Sequence, residues 1–206
     1  MKAVIFVDVQ NDFVKGGKLA FGYPVEDNLQ KIVDFAKECV NAHREDAAPY
    51  KIYATQDTHE KTVYDNCTVP KAAFNPELPL AGYMTTLEGK KLPVEHCVEG
   101  TEGWMVDDRL MDVIYGNCTF VNKPTFGSFD LAEIIAEDFK NNTLDEIIIA
   151  GYCTSICVLA NAVLLRAKFP NTKITVRADL CGDVNEEAHR AALKVFEMQQ
   201  LDVVNG

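Results

Sequence analysis

The segment DEIIIAGYCTSICVLANAVLLRAK, residues 145–168, decides the fold. Its first seven residues are a short, nearly continuous apolar run, the pattern of a strand buried on both faces. From 155 to 168 the period changes. Ile156, Leu159, Val163, Leu164 and Ala167 recur at helical spacing, and Thr154 or Ser155 stands where a helix N-cap belongs. Between strand and helix lie Cys153 and Cys157. A strand that passes straight into a helix is half of a strand–helix–strand unit.

Outward from this segment the alternation repeats. AVIFVDV (3–9), YKIYATQD (50–57), CTFVNK (118–123), KITVRAD (173–179) and LDVV (201–204) read as strands. Helical patterns cover 26–43, 107–115, 129–140 and 185–199. This order predicts an α/β fold, a Rossmann-like three-layer α/β/α domain with a parallel sheet of five or six strands. One domain, 1–206, is expected for this length. Residues 58–106, rich in Pro, Gly, Thr and Glu, form a long stretch without clear elements, and such stretches are usually functional.

A net charge of −11 argues against a nucleic-acid footprint and against docking on anionic lipid. The opening MKAVIFVDVQ becomes charged too soon for a signal segment, and no later run is long enough to span a bilayer. Seven cysteines, an odd number without framework spacing, read as reduced thiols in a cytoplasmic protein.

Ligands of open α/β sheets bind beyond the carboxyl ends of the strands. Those ends carry Asp8, Asp57, Lys123 and, past Gly151, the two cysteines. Asp8 between two valines needs a partner if buried, and Lys123 supplies one. Cys157 falls in the first helical turn, where unpaired N–H groups and the helix dipole favour a thiolate. A C-x-x-x-C pair is wider than the usual redox spacing, so Cys157 reads as a nucleophile in preference to half of a disulfide. Asn11 and Asp12 are expected to organise a turn closed by Gly16 and Gly17. Asp57 and His59, two apart in an extended segment, point to one side and can converge on a metal with His96 from the long loop. Such a set suits Zn²⁺, Fe²⁺ or Mn²⁺ with open positions. His43 and His189, in helical patterns among charged residues, read as solvated.

Taken in order, VDVQNDF, D-x-H after the second strand, EHCVEGTEG, the strand-end lysine and GYCTSICV resemble the nicotinamidase/pyrazinamidase branch of the isochorismatase-like cysteine hydrolases. The resemblance runs from Ala3 to the final strand. It implies a catalytic triad of Asp8, Lys123 and Cys157, and metal ligands at Asp57, His59 and His96, with zinc the first expectation and iron or manganese the alternatives. It implies an oxyanion hole from the backbone N–H groups of Cys153 and Cys157, a non-proline cis peptide at Tyr152–Cys153, and a substrate contact at Phe13.

The implied reaction is hydrolysis of nicotinamide to nicotinate and ammonia through a thioester. Relatives of this kind are often dimers or tetramers. Where nicotinamidases carry a ring-stacking tryptophan, this chain has Leu92 and Pro93, and its stretch between His59 and His96 is longer. Trp104, the sole tryptophan, is an alternative wall for the pocket. Other small amides or ureido acids, isochorismatase-type vinyl-ether hydrolysis, and a non-catalytic metal-binding or thiol-sensing module are the competing readings.

Overall fold

The structure, a computed structural model, describes residues 1–14, 16–24, 28–44, 50–59, 71–72, 75–79 and 94–206. Strands β1 (Lys2–Val7) and β2 (Tyr50–Asp57) are separated by helix α1 (Leu29–Arg44). A short pair, β3 (Lys71–Ala72) and β4 (Asn75–Pro79), follows, then α2 (Asp108–Ile114), β5 (Cys118–Lys123) and α3 (Phe129–Asp138). The chain ends with β6 (Glu146–Tyr152), α4 (Leu159–Lys168), β7 (Lys173–Gly182), α5 (Glu186–Met198) and β8 (Asp202–Val204). All six predicted strands are present, and they form one parallel sheet in the order β5-β2-β1-β6-β7-β8.

The sheet is covered on both faces because its strands are apolar on both. Ala3, Ile5 and Val7 of β1 face α3, α4 and α5 through Leu131, Ile135, Ala162, Leu165 and Phe196. Val4 and Phe6, one residue out of phase, face α1 and α2 through Leu29, Ile32, Ala36, Leu110 and Ile114. This is the expected three-layer arrangement. The β3–β4 pair, inside the long 58–106 stretch, is antiparallel, and the sequence pattern does not announce it.

Three features shape the carboxyl edge of the sheet. Strand order reverses between β1 and β6, which opens a crevice at that edge. Gly151 sits there at φ +124°, and a Cβ on it would lie 2.1 Å from the Val7 carbonyl oxygen. Only glycine lets β6 run this close to β1. The β6–β7 register also jumps, from Ile149 opposite Val176 to Gly151 opposite Cys181. β7 therefore carries three more residues than β6 across this span, and it reaches Gly182, not 179.

Candidate active site

Asp8 follows β1 directly, at φ +50°, a conformation that aspartate tolerates better than most residues and that clusters at functional sites. Its backbone N–H donates to the Thr55 carbonyl at 3.2 Å, and the Thr55 hydroxyl donates to Asp8 Oδ1 at 2.6 Å. The other carboxylate oxygen lies 2.6 Å from Lys123 Nζ, which comes from the end of β5. Lys123 Nζ is also 3.4 Å from Cys157 Sγ and 3.9 Å from Asp57 Oδ1. Asp8, Lys123 and Cys157 are all buried. The three residues predicted from strand ends therefore meet in one place.

Burial pushes the Asp8 carboxyl above the ordinary carboxylate range, against the pull of Lys123. Burial raises the Cys157 thiol as well, opposed by the Lys123 charge. Lys123 itself, although burial works against its charge, is held charged by Asp8, Cys157 and Asp57. The arrangement is a buried ammonium between a carboxylate and a thiol, the set a proton-transfer nucleophile needs.

Cys157 sits in a π-helical turn, Thr154–Val158, that opens onto α4. Neither predicted cap acts as one. Thr154 donates instead to the Gly182 carbonyl at 2.9 Å, and the Ser155 N–H is taken by Asp183 Oδ2 at 2.7 Å. Asn161, fully buried in α4, donates to the carbonyls of Cys157 and Phe126, and its Oδ1 accepts the Ser128 N–H. It ties the cysteine turn to the loop between β5 and α3. A lone asparagine within LANAV was the only signal for it. The Tyr152–Cys153 peptide is cis, as the resemblance implied.

His189 corrects an expectation. It is buried, its Nδ1 lies 2.9 Å from Thr154 Oγ1, and its ring faces Tyr23 at 5.1 Å. Its charged sequence neighbours point elsewhere on the helix, so the surrounding composition misled. His43 is exposed, as read.

Asp57, His59 and His96 converge, their ligand atoms all within 4.8 Å of one another, and all three are buried. His59 Nε2 is 2.9 Å and His96 Nε2 is 3.3 Å from Asp57 Oδ2. The Val94 carbonyl lies 2.7 Å from His96 Nδ1. A carbonyl can only accept, so the proton belongs on Nδ1 and the Nε2 lone pair faces a carboxylate oxygen. Two acceptors in that position call for a cation or a proton between them. One carboxylate and two imidazoles, one of them held by a backbone carbonyl, fit a divalent metal ion.

Gln10, not singled out by the sequence, fixes Asp57 from both sides. Its Oε1 accepts the Asp57 N–H at 2.7 Å, and its Nε2 donates to the Asp57 carbonyl at 2.9 Å. Asn11 and Asp12 do more than close a local turn. Asn11 Nδ2 donates to the Glu102 carbonyl, and Asp12 Oδ2 accepts the Cys97 N–H at 2.8 Å, so both anchor the segment that bears His96. Gly17 does close the turn, donating to the Val14 carbonyl.

A cavity beside these groups is lined by Phe13, Leu19, Phe21, Phe126 and Ile156 together with Asp57, His96 and both cysteines. Phe13 stacks on Phe21 at 5.2 Å and tilts against His96 at 5.5 Å. Trp104 is not among the lining residues; its indole N–H donates to Thr58 Oγ1 at 2.8 Å. Leu92 and Pro93 lie outside the described residues. The six described cysteines are all free, as expected of reduced thiols. Among the described residues no helix is long and apolar enough to cross a membrane.

Comparison with known proteins places this geometry. The isochorismatase domain family model matches residues 2–205. The chain is 26% identical over 220 residues to a nicotinamidase of Schizosaccharomyces pombe, covering 98% of this chain and 92% of that protein. The crystal structure of nicotinamidase/pyrazinamidase PncA from Bacillus subtilis superposes with a TM-score of 0.72 at 26% identity, covering 98% of this chain and 99% of that one. A pyrazinamidase of Pyrococcus horikoshii, solved in complex with zinc, shares the fold at 20% identity and a TM-score of 0.67, covering 100% of this chain and 99% of that one. With nearly its whole length matched, the chain belongs to the isochorismatase domain family of hydrolases.

Proposed function

We propose that the protein is a cysteine-dependent amidohydrolase acting on a small aromatic carboxamide, nicotinamide first among them. The observation that carries this is Lys123 Nζ, 2.6 Å from Asp8 and 3.4 Å from Cys157, with Cys157 itself lining an aromatic cavity. Isochorismatase-type vinyl-ether hydrolysis needs no nucleophilic thiol, so a buried thiol beside a carboxylate and an ammonium favours the amidase.

Asp8 takes the proton of the Cys157 thiol, and the thiolate sulfur bonds to the carboxamide carbon. The developing oxyanion is met by the backbone N–H groups of Cys153 and Cys157, a contribution typically worth about 3 kcal/mol per donor. Asp8 returns the proton to the nitrogen, the C–N bond breaks, and ammonia leaves a thioester. Asp8 then deprotonates a water that attacks the same carbon. The C–S bond breaks, the acid departs, and the thiol is restored. Lys123 keeps the local field positive throughout, favouring carboxylate and thiolate.

Phe13, Phe21 and Phe126 line the cavity and give it the aromatic surface that a flat ring would pack against. Asp57, His59 and His96 would hold a divalent ion, zinc being the first expectation. Such an ion would supply a Lewis-acidic point able to hold and orient a substrate that offers a ring nitrogen. Ammonia release measured over nicotinamide, pyrazinamide, benzamide and a panel of ureido acids tests the reading. Turnover of the pyridine and pyrazine amides is expected; turnover confined to ureido acids, or none at all, overturns it.

A further inference from the structure

Asp183 is a buried carboxylate that the mechanism above does not use. It stands one residue past β7, carried to the carboxyl edge by the three extra residues of that strand. Its backbone is fixed in both directions, with its N–H donating to the Tyr23 carbonyl at 2.7 Å and its carbonyl accepting the Tyr23 N–H at 3.0 Å. The carboxylate takes four donors. Oδ1 accepts from Cys153 Sγ at 2.7 Å, Ser155 Oγ at 3.0 Å and the Val184 N–H at 2.7 Å. Oδ2 accepts the Ser155 N–H at 2.7 Å.

None of these donors is a cation, and a buried carboxylate is costly unless its oxygens are fully used. Three of the four donors come from Cys153 and Ser155, which flank Thr154 where β6 enters the π-helical turn. Donors that meet an oxyanion act only if they are held before the reaction begins. A shift of about 1 Å in such a turn is enough to cost on the order of 10²-fold in rate.

We propose that Asp183 is a positioning residue of the active site, holding Cys153 and Ser155 so that the turn's backbone N–H groups stay aimed into the cavity while the Cys153 sulfur stays engaged as a donor. The proposal rests on the amidase reading for its effect on rate, but its hold on Cys153 stands without it. Burial and the Asp183 carboxylate both raise the Cys153 thiol, so it stays protonated although it lines the cavity.

Asp183→Asn is the test, since it keeps size and one acceptor but presents an NH₂ group to at least one of the present donors. The expected result is a fall in kcat of about 10²-fold with KM changed less than about 3-fold. In the same protein, iodoacetamide labelling read by peptide mass spectrometry should rise about 10-fold at Cys153 and stay within about 3-fold at Cys157. Unchanged kcat and unchanged Cys153 labelling in the folded variant would overturn the proposal. So would parallel rises in labelling at both cysteines together with a large rise in KM, which mark a general loss of structure. If Asp183→Asn does not fold, the double variant Cys153→Ala/Ser155→Ala removes the two side-chain donors and leaves the carboxylate. A fall of about 10-fold in kcat at constant KM is expected there, and wild-type kcat overturns the proposal. Should the wild-type protein turn over no amide, the amidase reading fails, and Cys153 labelling alone decides the role of Asp183.

Discussion

Cys157, Asp8 and Lys123 form a set in which each group depends on the other two. On the proposed mechanism, removing the thiol removes the bond-forming atom, so Cys157→Ala should cost on the order of 10³-fold or more in kcat while leaving the thermal transition nearly in place. Cys153→Ala should cost no more than about 10-fold, because three donors remain on Asp183. Steady-state rates on the two purified variants decide between them, and the reverse ranking would reassign the nucleophile. The pH dependence follows from Asp8. It must be ionised to act as base, and burial raises its carboxyl, so kcat/KM should climb with pH through an acid limb lying above the ordinary carboxylate range. The Thr55 hydroxyl favours the ionised form. Thr55→Val should therefore move that limb to higher pH without moving the basic limb. A limb that stays put would show that another group governs it.

At the scale of strands, the opposite edge of the sheet carries a row of charges set by register. Glu146 opens β6 opposite Lys2 on one side and Lys173 on the other. Its carboxylate lies 2.7 Å from Lys2 Nζ and 3.1 Å from Lys173 Nζ, and it accepts the Thr175 hydroxyl at 2.6 Å. Burial works against the charge, but these partners hold the Glu146 pKa down to about 2, against an ordinary value of 4.5. A depressed folded-state pKa gives stability that is complete above 4.5 and is lost as pH falls toward about 2. Urea midpoints of wild type and Glu146→Gln should therefore differ most at neutral pH and converge as pH falls to about 2; a constant difference would exclude linkage through this group.

The apolar strands were legible because burial on both faces leaves no ambiguity of period. Their order was not, since parallel pairing depends on crossovers that no local pattern records. Asp183 escaped for a related reason. β7 reads as ending at Asp179, and nothing in LCGD signals a strand that bulges and continues to the site. The ends of β1, β2 and β5 pointed to Asp8, Asp57 and Lys123 because charged residues there interrupt apolar runs. Gln10, Asn161 and His189 work through backbone carbonyls and hydroxyls brought together only by folding.

Over the whole molecule, the Asp-His-His group joins parts of the chain that are far apart in sequence. Asp57 and His59 leave β2, whereas His96 arrives from a segment more than thirty residues later. That segment is fastened by the exchange of backbone hydrogen bonds between His59 and residues 97 and 99, by Asp12 on the Cys97 N–H, and by Gln10 behind Asp57. Closing a loop of this length costs entropy that grows only slowly with length, yet the histidines must still be brought against a buried carboxylate. An ion that binds only the folded arrangement would stabilise it by mass action, about 2.7 kcal/mol at a hundredfold excess over its Kd. Protein purified without chelator should therefore contain close to one equivalent of a divalent ion, zinc the first expectation. Chelation should lower the melting temperature, and added zinc should restore it. His96→Ala should melt at the same temperature with and without zinc, and should raise KM at least as much as it lowers kcat. Wild-type protein that lacks the ion and is indifferent to chelator and zinc in both melting and activity would leave Asp57, His59 and His96 as a buried hydrogen-bonded group and nothing more.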